Sequence, residues 1–180
     1  MALREIRLQG DPILYKESRP VEKMTQRTSI LIDDMIETMY DGEGIGLAAP
    51  QVGILRRLFV IDTAEEGEEN HPLVFINPEI LETKGEQSGT EGCLSVPGKV
   101  ASVIRPSYVK LKAFDRDMRE FIMEAENVLA RVILHEYDHL NGHLYPEKAD
   151  GPLLDVEDIE ESDDSDAVIE GKEPISVTYI

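Results

Sequence analysis

The sequence predicts an α+β fold, with antiparallel sheets wrapped around a buried central helix and a second amphipathic helix near the N-terminus. Three observations carry this. Short strand-like runs follow one another between residues 58 and 125; the run Val128–Leu134 is apolar on nearly every face; and apolar residues between Thr25 and Tyr40 recur at helical spacing.

Taken in order, Ile6-Arg7-Leu8 reads as a short extended piece, stopped at Gly10-Asp11-Pro12 because a proline pushes the preceding residue out of helical geometry. From Thr25 to Tyr40, Leu31, Ile32, Met35, Ile36 and Met39 share a face opposite Asp33, Asp34 and Glu37, which describes a helix with one side in the core. Met35 and Met39 are core packing by this pattern. Leu58–Asp62 is a buried strand by its β-branched and aromatic content, and the polar loop Glu65–His71 follows, with His71 solvated. Strands are expected over Leu73–Ile76, Ile80–Lys84, Val100–Ile104, Tyr108–Phe114 and Glu120–Ala125, broken at Asn77-Pro78, Gly85, Gly98, Pro106 and Asp115–Asp117. The buried helix then carries His135-Glu136-Tyr137-Asp138-His139 and should fail at Gly142.

The chain has 180 residues and a formal charge of −19, enough length for one domain with a real core and the wrong sign for direct binding to nucleic acid or an anionic membrane. Much of that charge is local, since Asp150–Glu173 holds eleven acidic residues opposed only by Lys172. Three regions follow. Residues 1–149 form the domain, 150–173 an acidic segment expected to be disordered, and 174–180, with Ile175-Ser176-Val177-Thr178-Tyr179, a C-terminal edge strand. Cys93 is the sole cysteine, so no intrachain disulfide can form, and the N-terminal residues lack the apolar core of a secretory leader. A cytoplasmic monomer with no membrane association is the expectation.

The chemistry centres on His135 and His139. Histidines four apart on a helix project from one face and can hold one metal ion, with Glu136 beside it to move protons. Ionisable groups are costly on a buried helix unless a metal or a partner satisfies them. Two glycine-containing stretches precede the helix: Gly44-Ile45-Gly46-Leu47-Ala48-Ala49-Pro50-Gln51 and Glu91-Gly92-Cys93-Leu94-Ser95. Alone, the first reads as a tight turn and the second as a strand end with a buried thiol. His143 follows His139 by four, but Gly142 intervenes and His143 is read as solvated.

In order and approximate spacing these three segments resemble the peptide deformylases, metal hydrolases that remove the N-formyl group from nascent polypeptides. The resemblance runs from about residue 4 to residue 148 and takes in Gly10-Asp11-Pro12, Asn77-Pro78, Arg105, Asp115-Arg116-Asp117 and His139-Leu140-Asn141-Gly142. It implies that Cys93, His135 and His139 are the metal ligands, with an open position for water. The implied ion is Fe2+, with Zn2+, Ni2+ or Co2+ able to take its place. Glu136 is implied as the general base and acid, while the Gln51 side chain and the Leu94 backbone N–H hold the developing oxyanion. Gly44, Ile45, Gly46, Leu47 and Gly92 are implied to bind the peptide as an added strand, with Ile45 and Leu47 helping to form an apolar pocket for methionine. The implied partners are N-formylmethionyl peptides emerging from the ribosome. Glu91 reads either as a brace to Arg105 behind the Cys93 loop or as a surface ion pair.

The sequence departs from the family pattern at Met118, where a glycine is frequent, at Leu144-Tyr145-Pro146-Glu147, where Leu-Phe and a following Asp are frequent, and in the acidic extension. Two other readings remain open. One is a zinc endopeptidase, although Tyr145 stands where the third histidine of the extended motif would fall. The other is a non-catalytic peptide-binding protein, which would not need Glu136.

Overall fold

Residues 1–65, 67–163 and 177–180 are described by a computed structural model. Helix α1 spans Gln26–Asp41 and is started by Thr25, whose hydroxyl accepts the Thr28 N–H at 3.1 Å. Its buried face, with Leu31, Ile32, Met35 and Met39, is the one the periodicity marks, and Asp34 on it is paired with Arg4 at 2.7 Å.

One sheet has five strands in the order β1-β2-β3-β6-β7, all antiparallel: β1 Gly46–Ala48, β2 Leu58–Ile61, β3 Leu73–Lys84, β6 Tyr108–Phe114 and β7 Glu120–Glu126. The other has four, in the order β8-β5-β4-β9, built from β4 Gln87–Cys93, β5 Val96–Arg105, β8 Leu154–Asp155 and β9 Val177–Tyr179. Here one pair, β4 with β9, is parallel, so the chain is not wholly antiparallel. Helix α2, Asn127–Leu140, packs its apolar side on β1, β2, β6 and β7, and turns its ionisable side toward β4. It ends where Gly142 takes φ +78°; a Cβ there would come within 2.7 Å of the Tyr15 backbone, so only glycine lets the N-terminal segment cross at this point.

Several sequence expectations need correction. The Asn77-Pro78 break does not divide two strands: β3 runs through it with a shift of register between Ile76 and Glu79. Asn77 has φ 49° and takes over ladder duties with its side chain, accepting from Val21 N–H and donating to Val21 O, both at 2.8 Å. Asn77→Ala should therefore lower the unfolding free energy in urea by about 2–4 kcal/mol, from two lost hydrogen bonds and a left-handed conformation that alanine disfavours.

Gln87–Cys93 is a strand, β4, although its glycines and charge hide any alternation. The described part of the acidic segment carries a short strand and a helix. Leu154 pairs with Val100 on the edge of β5, Lys99 bonds Asp155, and helix α3, Val156–Asp163, follows with Glu157 and Asp158 in its first turn, where the helix dipole favours negative charge. The remainder, 164–176, lies outside the described residues.

At the Asp115–Asp117 turn, Met118 adopts φ 58°, a conformation in which glycine is ordinarily found. The Asp115 carboxylate fixes the turn by accepting from the N–H groups of Asp117 and Arg119. Met118 packs against the cluster of Leu31, Met35 and Val60, contact that glycine would lack.

Candidate metal centre

Strand β4 and helix α2 meet along one line. On β4, Gly89, Glu91 and Cys93 are spaced by two, and on α2, Arg131, His135 and His139 by four, so each set shares a face. They meet pairwise. The Arg131 guanidinium fills the space a side chain at position 89 would need, since a Cβ on Gly89 would lie 2.9 Å from Arg131 Nη2. Glu91 meets Arg131 and His135, and Cys93 meets His139.

Ligand atoms of Cys93, His135 and His139 lie within 4.8 Å of one another, all buried. His135 Nδ1 is 2.9 Å from Glu91 Oε2; a carboxylate only accepts, so Nδ1 carries a proton and Nε2 is the ring nitrogen available to a metal. That Nε2 is buried without a partner, as is His139 Nδ1, while His139 Nε2 stands 3.4 Å from Cys93 Sγ. Burial, helped by the Glu136 and Glu91 charges, pushes the Cys93 thiol up to about 12; burial also holds His139 well below the usual histidine range, the nearby His135 and Arg105 charges adding to it. A divalent cation would reverse the first effect and draw the imidazole lone pairs to itself. The donor set therefore fits a metal.

Glu136 is fully buried, and neither carboxylate oxygen has a hydrogen-bond partner. Burial raises its pKa well above the usual carboxylate range, with the Glu91 and Asp138 charges adding and Arg105 opposing. Gly46 makes room for it: a Cβ at that position would overlap Glu136 Oε1 and lie 3.1 Å from Val132 Cγ1. Gly46→Ala should thus push the carboxylate aside and lower the unfolding free energy in urea by about 1–3 kcal/mol, the usual cost of overpacking a buried site.

Gln51 is fully buried, and its amide orientation is set by Ala48 N–H donating to Oε1 at 2.9 Å. Its Nε2 consequently faces the centre, 3.1 Å from Ser95 Oγ and 3.5 Å from Cys93 Sγ. Leu94 directs its N–H to Ile180 O at 3.1 Å, and Ile45 its N–H to Tyr179 O at 3.4 Å. Leu94 side-chain atoms come within 2.9 Å of a Cβ placed on Gly44, so Gly44 is needed for that packing. Gly92 lies under the Tyr179 ring. Ile45 borders the cluster that contains Val132 and Ile133, whereas Leu47 belongs to the α1 cluster with Leu31 and Met35.

Behind the three donors lies a buried charge network that sequence reading found only in part. Glu91 accepts from Arg105 at 2.6 and 2.9 Å and from Arg131 at 2.7 Å; Arg105 also bonds Asp138 at 2.9 Å, which in turn holds Lys148 at 2.7 Å. Glu91 is fully buried, so it is not a surface pair. Burial opposes its charge, yet the hydrogen bonds from His135 and Arg105 overcome this and hold its pKa well below the usual range. Arg131 and Asp138 were missed. The signal was available: Arg131 stands four before His135 in an otherwise apolar run. Tyr145 is buried too, its hydroxyl donating to Lys99 O at 2.9 Å and its ring stacked 6.0 Å from that of His135. That hydroxyl is thus not a third metal ligand, and His143 is exposed beside Glu147.

A buried cysteine sulfur and two imidazoles, next to an unpartnered carboxylate, make up the kind of donor set that metal-dependent hydrolases use. The comparisons with known proteins give it a family. The sequence model for polypeptide deformylase matches residues 3–153. The peptide deformylase of Lachnoclostridium phytofermentans is 54% identical over 164 residues, covering 91% of this chain and 99% of that protein. That of Agathobacter rectalis is 58% identical over 156 residues, covering 87% and 96%. Among solved structures, the peptide deformylase from Thermotoga maritima superposes with a TM-score of 0.79 at 40% identity, covering 84% of this chain and 100% of that one. The chain belongs to the peptide deformylase family, enzymes that remove the N-formyl group from nascent peptides. No helix among the described residues is long and apolar enough to cross a membrane.

Proposed function

We propose that Cys93, His135 and His139 hold one divalent ion, Fe2+ in the native enzyme with Zn2+, Ni2+ or Co2+ as substitutes, and that Glu136 is the proton carrier for hydrolysis of N-formylmethionyl termini on chains leaving the ribosome. The observation that carries this reading is the convergence of the three donors beside a buried carboxylate with both oxygens unpartnered. The α2 helix with its His-Glu-x-x-His pattern, enclosed between the two sheets, is the element on which the chemistry is built. When bound, the ion acts as a Lewis acid and activates water.

The residues divide the remaining work. Glu136 takes a proton as the water oxygen bonds to the formyl carbon, and returns it to the amine nitrogen as the C–N bond breaks, so formate and a free N-terminus leave. Gln51 Nε2, its amide oriented by Ala48, and the Leu94 N–H hold the developing oxyanion. The peptide adds as a strand beside Ile45 and Gly92, with its first side chain among the apolar residues near Ile45 and Val132. Glu91, which holds the protonated Nδ1 of His135, orients that ligand.

The test is formate release from formyl-Met-Ala-Ser by anaerobically purified protein, with metal content measured. Stoichiometric metal in the wild type, its loss in Cys93→Ser, and formate from the wild type are the expected results. No formate from protein loaded with iron, nickel or zinc would overturn the reading.

A further inference from the structure

The groups assigned above to the substrate are already engaged by the chain itself. Strand β9 lies parallel to β4, with Thr90 opposite Val177, Glu91 opposite Thr178 and Gly92 opposite Tyr179. Beyond it, Ile180 N–H donates to Gly92 O and Ile180 O accepts from Leu94 N–H, both at 3.1 Å; on the other side Tyr179 O accepts from Ile45 N–H at 3.4 Å. The Ile180 side chain is fully buried in the cluster of Ala130, Val132 and Ile133, to which Ile45 is peripheral. The Tyr179 ring covers Gly92, its Cδ1 2.9 Å from where a Cβ would stand.

An added strand, an apolar side chain in a pocket beside α2 and a carbonyl on the Leu94 N–H are the three things a formyl-methionyl peptide would present here. We propose that Tyr179 and Ile180 occupy the peptide groove as a built-in competitor, and that formyl peptide enters only when β9 has left β4. The inference rests on the substrate-binding reading given above.

Polarity explains why the segment blocks without being cut. A formyl group precedes the first residue of its peptide, so a peptide with the formyl oxygen on Leu94 runs away from it, antiparallel to β4. The self strand runs toward Leu94, parallel to β4, and delivers the Ile180 main-chain oxygen there. Its position is therefore that of an occupant with no formyl bond to offer. Because it is tethered, it competes at an effective concentration that free peptide must exceed.

Two variants of the full chain test this. Ile180→Asp removes the apolar anchor, and Ile180→Pro keeps an apolar residue but removes the N–H given to Gly92. With metal-loaded protein and formyl-Met-Ala-Ser, both should lower KM by about tenfold at unchanged kcat, as expected when the binding-competent fraction rises from about a tenth toward one. Amide hydrogen exchange at Ile45 and Leu94, followed without substrate, should become faster in both. An unchanged KM in both variants overturns the proposal, and so does unchanged exchange at the two amides. Absence of formate in the wild type at saturating peptide would instead strike the deformylation reading, and the exchange measurement still decides whether β9 protects those amides.

Discussion

Glu136→Gln is expected to lower kcat for formate release by about 10²–10⁴-fold, the usual contribution of a positioned general base, while the protein keeps its metal. The substitution is nearly isosteric and leaves Cys93, His135 and His139 in place, but an amide cannot take up the proton. A second result should accompany it. Because burial raises the Glu136 pKa and no group hydrogen-bonds its oxygens, the charged form is unfavourable in the folded protein. Glutamine carries no charge to desolvate, so metal-free Glu136→Gln should unfold at a higher temperature than metal-free wild type, by calorimetry. Undiminished kcat with full metal content would place the base elsewhere.

Glu91→Ala should be the most damaging change outside the three proposed metal ligands. It leaves the buried Arg131 guanidinium without its carboxylate, leaves Arg105 with Asp138 as its remaining carboxylate partner, and frees His135 Nδ1 from its acceptor. Breaking a buried pair in this way typically costs about 3–5 kcal/mol of stability, and loss of the partner that orients a ligand histidine costs about 10–100-fold in metal affinity. Urea unfolding and a competitive chelator titration measure the two. Acid should produce a milder version in the wild type. The folded pKa of Glu91 lies below its ordinary 4.5, so the stability it contributes is fully present above that value and drains away as pH falls through it toward the folded value. Glu91→Gln, which has no such proton to gain, should show a flatter decline of urea midpoint between neutral pH and pH ~3.

How much of this was legible depended on what each residue shows to a pattern reader. The two long helices were plain because Leu31, Met35 and Met39 repeat at the helical period and Val128–Leu134 has no polar side wide enough to face water. Strand β6 was found with its bounds, since Tyr108–Phe114 alternates between buried and half-buried positions. Strand β4 was not. Its inward positions carry nothing at Gly89, a charge at Glu91 and a thiol at Cys93, so a hydrophobicity pattern is blank there, and only partners distant in sequence make those residues interior. The Asn77-Pro78 pair misled for the opposite reason: a strong local turn signal is overruled when an asparagine side chain can stand in for the ladder. The resemblance in the motifs gathered the residues of the centre, yet it was silent on Arg131 and on what lies across the groove, because both depend on contacts rather than on spacing.

The way β4 and α2 run side by side has a consequence for what evolution can change here. Two residues of strand advance about 6.6–6.8 Å, and four residues of helix about 6.0 Å. The two elements behave as rulers with nearly equal graduations, and three marks coincide: 89 with 131, 91 with 135, 93 with 139. The difference, somewhat under 1 Å per mark, is small enough to be taken up by side chains over three marks and grows with each further one. Such an alignment tolerates substitution at any single mark far better than a change in count. One residue deleted from the helix between Arg131 and His139 would turn the later mark by about 100°, and one added to the strand would send Cys93 to the other face. Length in these two stretches is thus the property under strictest constraint, and loops such as Glu65–His71 are where insertions can accumulate.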